Sequence, residues 1–412
     1  MSAPEVINFG CRLNIAEGEA IRHAAADIGA ATIINSCAVT HAAEREASRA
    51  IRRAARAHPG RPVYVTGCAA ETAHDRLRAM PEVAGVIANS DKQSPAAWAR
   101  PGASIGAALM DRREAFVPVV SGPGHARAFV AIQTGCDHRC TFCIIPFGRG
   151  NSRSAPVADV IASIEQVVRR GQREVVLTGV DLTSYGHDLP GTPTLGQLVE
   201  RILVDVPALP RLRLSSLDSV EIDPLLFELL TGEARMMPHI HLSLQAGDDM
   251  ILKRMKRRHA RADAVRLVER LKAARSEIAI GADIIAGFPT EDDAMAANTL
   301  ALVDDCQIAF GHIFPYSPRS GTPAARMPLV DAAVARARAA LLRAACAQQL
   351  RELQTDMIGT RQMMLVENDG MTGHAGNFAR LRLSQTATPG DLADVRVLDA
   401  HGTARAIELE TA

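Results

Sequence analysis

The chain has 412 residues and a mass of 44.0 kDa, which exceeds one ordinary hydrophobic core and predicts two or three domains. Lysine plus arginine and aspartate plus glutamate each total 46, so the net charge of +0 excludes an overall positive field and leaves only local basic patches to hold a nucleic acid. The sequence contains no apolar run of membrane-spanning length and no secretory signal, so we expect a soluble cytoplasmic protein with reduced cysteines.

Residues 1–92 predict repeated strand–helix units. The β-branched runs EVINF, ATIIN and PVYVT are each followed by a helical stretch long enough for a crossover, which predicts a parallel sheet. A cysteine follows each run closely, and the three are Cys11, Cys37 and Cys68, called here the N-terminal triad. Parallel strands place their carboxyl ends at one edge of a sheet, so we expect the triad to converge there.

Three further segments follow along the chain. Residues 93–125 accumulate Pro, Gly and Ser, which is typical of a linker. Residues 126–354 contain six strand candidates with helices between them: AFVAIQT, EVVLTG, RLRLSS, HIHLSL, IAIGADIIA and AFGHIFPYS. This α/β pattern predicts a partial (βα)6 barrel with its active-site loops after the strands. Residues 355–412 contain short alternating strands and turns, which predict a small β-barrel.

The loop after the first barrel strand, GCDHRCTFC, contains Cys136, Cys140 and Cys143, called here the barrel triad. Three thiolates can hold three irons of a [4Fe–4S] cluster and leave the fourth iron open to an exchangeable ligand. A zinc site that borrows His138 is the alternative, although zinc sites prefer paired C-x-x-C units and the sequence has no matching pair. We assign no role to Cys306 and Cys346, because both lie in predicted helices, where a free cysteine behaves as a small hydrophobe.

These motifs resemble those of the radical S-adenosylmethionine (SAM) methylthiotransferases over nearly the whole chain. NFGCRLNIAEGE, INSCAVT and VTGCAAE resemble the N-terminal cluster motifs of that family, and GCDHRCTFCIIPFGRGNSRS resembles its radical SAM motif. The C-terminal segment resembles its RNA-binding TRAM domain. Within the family, VVLTGVDLTSYG, RLRLSSLDSVEID and HLSLQAGDDMILKRMKRRH resemble the branch that acts on N6-threonylcarbamoyladenosine in tRNA.

The resemblance implies a tRNA methylthiotransferase that modifies carbon 2 of N6-threonylcarbamoyladenosine at position 37, next to the anticodon. It implies two [4Fe–4S] clusters, one on each triad, and SAM as methyl donor and radical source, because side-chain acids and bases cannot activate an inert C–H bond. The implied partners are tRNA, a flavodoxin- or ferredoxin-like reductant and a sulfur donor. The alternatives are methylthiolation of isopentenyladenosine or of a ribosomal-protein aspartate, and an RNA-binding metal-cluster protein without catalysis.

Several residues beyond the cysteines are candidates for ligand binding. Four of them lie at or near the ends of predicted barrel strands and are expected to reach SAM at the barrel mouth: Gly179, Asp181, Gln245 and Asp283. The threonylcarbamoyl group carries a carboxylate, so its pocket should offer a cation, and Arg149 and Arg153 just after the barrel triad are the candidates. Packing or turn formation is the alternative for the first four, and pairing with an acidic side chain or a tRNA phosphate is the alternative for the two arginines.

Two basic segments predict contacts with RNA phosphates. The first, called the helix stripe, recurs at helical spacing and consists of Arg45, Arg49, Arg52 and Arg56. The second, called the 253–258 patch, consists of Lys253, Arg254, Lys256, Arg257 and Arg258. A solvated helix face is the alternative for both. From residue 355 onward the chain has five arginines and eight acidic residues, so we expect little phosphate affinity from the C-terminal barrel.

Overall fold

The computed structural model describes residues 3–99, 109–112, 114–122 and 124–406. Its N-terminal part is a parallel sheet in the order β1-β2-β3-β4, with strands Glu5–Asn8, Thr32–Ser36, Val63–Gly67 and Gly85–Val86. The helices here are α1 Arg12–Ala24, α2 His41–Ala57, α3 Cys68–Thr72, α4 His74–Arg78 and α5 Pro95–Ala99, with a 3-10 turn at Ala26–Ile28. The predicted parallel sheet is therefore confirmed.

Part of the segment assigned to a linker is structured. Trp98 on α5 is buried against Ile21 and Ile33 in the core of the N-terminal sheet. Residues 119–120 form a short edge strand, β5 Val119–Val120, that pairs antiparallel with the first strand of the central barrel. Burial of apolar side chains holds both pieces in place, although their local composition indicates a loop.

The central part is an open barrel of parallel strands. The remaining strands of this part are β6 Ala128–Ala131, β7 Gln133–Thr134, β8 Arg153–Ser154, β9 Glu174–Thr178, β10 Arg211–Leu214, β11 Ser216–Leu217, β12 His239–Gln245, β13 Ala279–Ala286 and β14 Ile308–Pro315. Strands pair in the order β5-β6-β9-β10 and β11-β12-β13-β14, and β10 continues almost directly into β11. The six predicted strands are therefore all present, and the partial (βα)6 barrel is confirmed.

Helices cover the outside of this barrel. They are α6 Ile145–Arg149, α7 Val157–Arg169, α8 Leu195–Asp205, α9 Pro224–Gly232, α10 Asp249–Met255, α11 Arg261–Ala274, α12 Asp293–Asp305 and α13 Ala332–Asp356, with 3-10 turns at Leu109–Asp111, Leu182–Ser184 and Pro323–Arg326. On α7, Val160, Ile164 and Val167 recur at helical spacing and are fully buried in the main core. In the described ranges, no helix is long and apolar enough to cross a membrane.

The two faces of the barrel strands differ in polarity. On β12, Ile240 and Leu242 belong to the main core beneath the helices. The alternate residues His239 and His241 point to the barrel interior, as period-two alternation requires. Leu13 of α1 belongs to the same core as the residues of β6, so the N-terminal part packs directly against the central barrel.

The C-terminal part is a closed five-stranded barrel. Its strands are β15 Arg361–Val366, β16 Thr372–His374, β17 Arg380–Leu383, β18 Leu392–Val397 and β19 Thr403–Ala406, in the order β15-β16-β17-β19-β18. It docks on the amino ends of the central strands, where Arg211 and Arg213 of β10 donate hydrogen bonds to the carbonyl oxygen of Ala375 at 3.2 and 2.8 Å. The predicted small β-barrel is therefore confirmed.

Candidate active site

The N-terminal triad lies at the carboxyl ends of three neighbouring strands. Cys11 and Cys37 follow β1 and β2, and Cys68 begins the helix after β3. Cys11 is exposed, whereas the other two are buried, and all eight cysteines of the chain are free thiols. Burial and, second to it, the neighbouring Cys68 raise the pKa of Cys37 to about 12. Three thiols thus share one sheet edge, a donor set suited to a cation that stabilises thiolates.

Glycines leave room around these thiols. Gly10 precedes Cys11 with φ +90°, and a Cβ atom there would lie 2.7 Å from the Cβ and Sγ atoms of Cys37. A Cβ atom on Gly148 of α6 would lie 3.1 Å from the Cβ atom of Cys68. Glycine is required at position 10, because a side chain there would collide with the triad and strain the backbone. The residues present therefore fit a group held by the three sulfurs.

The barrel triad occupies the loop between β7 and α6. The backbone N–H of Cys143 donates to the carbonyl oxygen of Cys140 at 3.1 Å, which closes a tight turn. Phe142 between them points into an apolar cluster and meets the ring of Phe288 edge-on at 6.3 Å. The aromatic residue thus anchors the loop while the flanking thiols remain partly accessible. Burial raises the pKa of Cys143 to about 12, so a cation must be present for its thiolate to form at neutral pH.

A polar cluster borders the barrel triad at the barrel mouth. The Nε2 atom of His138 lies 3.1 Å from the Oδ2 atom of Asp181, and Cys136 Sγ lies 3.6 Å from that same oxygen. Glu221 accepts a hydrogen bond from Arg258 at 2.5 Å and lies 3.9 Å from His138. Hydrogen bonds that His138 donates to these carboxylates outweigh its burial and raise its pKa to about 10. His138, the fourth ligand of the zinc alternative, is thus engaged by carboxylates.

Arg149 joins the two parts of the site from a fully buried position. Its two terminal nitrogens donate to the two carboxylate oxygens of Glu17 at 2.9 Å each, and one also donates to Asn14 Oδ1 at 2.6 Å. Lys92 lies 2.6 Å from the same carboxylate. Burial alone would raise the pKa of Glu17, but the two cations outweigh it and lower the pKa to about 2. Arg149 therefore pairs with an acidic side chain, the alternative given for it above, and a contact with a substrate carboxylate stays a prediction.

Arg153 begins β8 and lies beside Arg112. It lines a cavity of about 370 Å³ with Arg112 and Phe116, and its Nη1 atom donates to the carbonyl oxygen of Glu114 at 3.3 Å. Burial and the neighbouring Arg112 lower the pKa of Arg153. The described residues that line this cavity include none of the six triad cysteines. A substrate contact by Arg153 stays a prediction.

The four residues expected at SAM occupy two different levels of the barrel. Gly179 and Asp181 follow β9 next to the barrel triad, and a Cβ atom on Gly179 would lie 2.8 Å from Gln133 Oε1. Gln245 ends β12 with φ 68°, at a break in the strand register. Asp283 instead lies in the middle of β13, below the mouth, between His241 at 3.1 Å and His312 at 3.2 Å. Three of the four therefore lie at the mouth.

The barrel interior beneath the mouth is polar and open to solvent. The hydrogen-bonded histidines outweigh burial and lower the pKa of Asp283, which keeps its carboxylate ionised. His312 and Phe314 lie two residues apart on the same face of β14, and their neighbours on β13 are Asp283 and Ile285. The side chain of His312 is 58% exposed and Phe314 is 42% exposed. A ligand can therefore enter the interior along the β14 edge.

The helix stripe and the 253–258 patch differ in how many of their cationic side chains are bonded to other residues. All four arginines of the helix stripe are exposed on α2. In the 253–258 patch, Lys253 and Lys256 are exposed, but Arg254 donates to the carbonyl oxygen of Thr290 at 3.2 Å. Arg257 donates to Asp218 at 2.9 Å and lies 3.9 Å from Cys140 Sγ, and Arg258 pairs with Glu221. The arginines of the patch therefore bond to residues near the barrel mouth, and an RNA contact by the patch stays a prediction.

Sequence reasoning missed the acidic partners of this site. Asn14 and Glu17 lie three residues apart on α1 and are buried, as are the apolar residues of the same helix. Two polar residues at this helical spacing just after Cys11 were the feature of the sequence that could have indicated Glu17 as a site residue. Asp218 and Glu221 follow β11 in the same way that Asp181 follows β9, so their strand-end position was also readable. Lys92 and His312 carried no comparable signal.

Two family models match separate parts of the chain. Residues 5–88 match the uncharacterized protein family UPF0004, and residues 130–303 match the radical SAM superfamily. A threonylcarbamoyladenosine tRNA methylthiotransferase MtaB of Rickettsia prowazekii (strain Madrid E) is 45% identical over 94% of this chain and 93% of its own length. A tRNA-2-methylthio-N(6)-dimethylallyladenosine synthase of Cereibacter sphaeroides (strain ATCC 17025 / ATH 2.4.3) is 32% identical, covering 94% of each chain.

A solved structure shares the fold at low sequence identity. The radical SAM methyltransferase TsrM of Kitasatospora setae, with cobalamin and a [4Fe–4S] cluster bound, superposes with a TM-score of 0.56 at 14% identity. The match covers 79% of this chain and 74% of that chain. The similarity therefore concerns the arrangement of the α/β parts alone.

Proposed function

Since the chain belongs to the radical SAM methylthiotransferase family, we propose that it methylthiolates carbon 2 of N6-threonylcarbamoyladenosine at position 37 of tRNA. The observation that carries this proposal is the proximity of the two triads. The helix that follows the barrel triad, α6, packs on the helix that begins with Cys68, and Gly148 lies against that cysteine. A substrate bound between the two triads can reach both of them. Transfer of sulfur and a methyl group to one carbon requires such access.

The family uses [4Fe–4S] clusters and SAM, and both triads offer three thiols on short, glycine-flanked loops. We infer that each triad holds one cluster. When bound, these cofactors supply the one-electron reduction and the radical that removes a hydrogen from an unactivated C–H bond. We infer that Gly179, Asp181 and Gln245 line the SAM site, because they lie at the mouth beside or above the barrel triad.

The chain itself fixes the distance between the two triads. Arg149, six residues after Cys143, is bound to Glu17, six residues after Cys11. A second bond connects the same parts, because the side-chain amide of Asn89 donates to the carbonyl oxygen of Gly148 at 2.6 Å. Both bonds are buried, so solvent does not compete for them. This rigid connection supports a reaction that uses both triads on one substrate atom.

The remaining partners follow from the chemistry. We infer that the helix stripe contacts tRNA phosphates, because its arginines point to solvent from one helix face. Reduction requires an electron carrier of the flavodoxin or ferredoxin type, and the product requires a sulfur donor. We place this reaction in the cytoplasm, where tRNA is modified.

The test supplies anaerobically reconstituted enzyme, SAM and a chemical reductant with tRNA that carries either threonylcarbamoyladenosine or isopentenyladenosine. Nucleosides are then analysed by mass spectrometry. We expect the methylthio mass increment on threonylcarbamoyladenosine. An increment on isopentenyladenosine alone would move the chain to the other branch, named by its 32% identical relative. Absence of SAM cleavage under reduction would favour the non-enzymatic alternative.

A further inference from the structure

Three guanidinium groups surround one aromatic ring inside the central barrel. Phe378, from the loop between β16 and β17 of the C-terminal barrel, stacks on the ring of His239 with centroids 4.8 Å apart. The guanidinium carbons of Arg12, Arg127 and Arg213 lie 5.6, 5.5 and 5.2 Å from the centre of the Phe378 ring. One cation of the N-terminal part and two of the central barrel therefore meet around a ring of the C-terminal barrel.

Two of these three cations have acidic partners. Glu174 is fully buried and lies 3.2 Å from Arg127 Nε and 2.9 Å from Arg213 Nε. Arg127 also pairs with Glu367 of the C-terminal barrel. Within the described ranges, the side chain of Arg12 forms no hydrogen bond or ion pair, and its guanidinium lies over the Phe378 ring. The carboxylates of Glu174 and Asp283 act on it only from a distance. A half-buried cation among other cations, without a carboxylate in direct contact, favours binding of an anion.

The rest of the charge at this point does not neutralise Arg12. Glu174 also holds Arg211 at 2.9 Å, so its one carboxylate already serves three guanidiniums. Asp283, the next carboxylate of the interior, is hydrogen-bonded by His241 and His312. The interior therefore carries an excess of positive charge at the level of Arg12.

Arg12 is also well placed relative to the reaction. It directly follows Cys11 of the N-terminal triad and begins α1. The interior opens to solvent along β14, where Phe314 and His312 are exposed. A nucleoside that enters there can present its base to the triads while a substituent reaches Arg12.

We propose that Arg12 binds the carboxylate of the threonylcarbamoyl group and so selects this nucleoside over isopentenyladenosine. The inference rests on the proposed function. A guanidinium offers a planar pair of N–H donors that matches a carboxylate, whereas an isopentenyl group offers nothing to a cation. Arg12 thereby takes the role that the sequence suggested for Arg149, whose two terminal nitrogens are bonded to Glu17 and Asn14.

The experiment measures binding of the reconstituted full-length enzyme to anticodon stem-loop RNAs by fluorescence anisotropy. The RNAs differ only at position 37, which carries adenosine, threonylcarbamoyladenosine, its methyl ester or isopentenyladenosine. Wild-type enzyme should bind the threonylcarbamoyl RNA about 10- to 100-fold more tightly than the ester, the range expected for charge-assisted hydrogen bonds. Arg12→Gln should abolish this preference and leave affinity for the unmodified RNA unchanged. Arg12→Lys should retain part of the preference.

The matched control is Arg22→Gln on the same helix, whose side chain is 42% exposed and pairs with Glu19. It should behave as wild type. Retention of the full preference in Arg12→Gln would overturn the role of Arg12 while the substrate assignment stands. Carboxylate recognition would be overturned if the wild type preferred the isopentenyl RNA, or if it bound the acid no more tightly than its methyl ester. Methylthiolation of each RNA would then decide whether the proposed function fails as well. If Arg12→Gln loses iron or melts early, a reduced discrimination between acid and ester in Arg12→Lys supports the role, and full discrimination contradicts it.

Discussion

Replacing Glu17 with Gln tests the buried connection between the two triads. The carboxylate is bonded to Arg149 through both oxygens at 2.9 Å and to Lys92 at 2.6 Å, and all three groups are fully buried. A neutral amide would leave two cations in the interior without a counter-charge. Loss of one partner from a buried ion pair costs about 3–5 kcal/mol, so the free energy of unfolding should fall by that amount.

The lowered pKa of Glu17 also predicts how the free energy of unfolding depends on pH. Its pKa is about 2 in the folded protein and 4.5 in the reference state, a difference that corresponds to about 3 kcal/mol. A lowered pKa stabilises the fold fully above pH 4.5, and this stabilisation is lost as pH falls towards 2. The stability difference between wild type and Glu17→Gln should therefore be constant from pH 5 to 7 and should shrink by about 2 kcal/mol at pH 3.

The chain offers a specific probe for this measurement. It contains one tryptophan, and Trp98 is buried in the N-terminal core and donates a hydrogen bond to the carbonyl oxygen of Lys92 at 2.8 Å. Urea unfolding followed by its fluorescence therefore reports on the part of the chain that contains the network. The matched control is Glu19→Gln on the same helix, whose side chain is 35% exposed and should lose less than about 1 kcal/mol.

A loss in Glu17→Gln no larger than in Glu19→Gln would contradict a buried ion pair at Glu17, because the two cations would then be solvated or paired elsewhere. A difference that stays constant down to pH 3 would refute the lowered pKa of Glu17. Either result would also remove the argument that this network holds the triads at a fixed separation.

Three further predictions concern the triads and RNA. Reconstituted wild type should contain about eight irons per chain, and alanine at all three positions of the barrel triad should leave about four; an unchanged iron content would exclude two separate clusters. Alanine at all three positions of the N-terminal triad should preserve reductive release of 5′-deoxyadenosine and abolish the methylthiolated product, whereas loss of both activities would indicate one shared site. Reversal of Arg45, Arg49 and Arg52 to Glu should weaken tRNA binding and lower its salt slope by about one per lost phosphate contact, and an unaltered slope would leave the helix stripe a solvated face.

The sequence alone was sufficient for features encoded by short segments. Cysteine spacing within one loop predicted the barrel triad, and β-branched runs of four to eight residues predicted the strands at whose ends Cys11, Cys37 and Cys68 lie. These signals depend on local backbone preference and on period-two or helical patterning, both of which are readable over a few residues. The six-stranded barrel and the family resemblance followed from the same local patterns.

The partner of each charged side chain was decided only by the tertiary structure. Arg149 is bound by Glu17, 132 positions away, and Arg257 by Asp218, 39 positions away, and neither partner could be read from the neighbouring sequence. Arg12, by contrast, lies beside Phe378 at the other end of the chain and forms no ion pair within the described ranges. Ionic and hydrogen-bonding partners are selected by distance in space and by exclusion of water, and local sequence periodicity contains neither quantity.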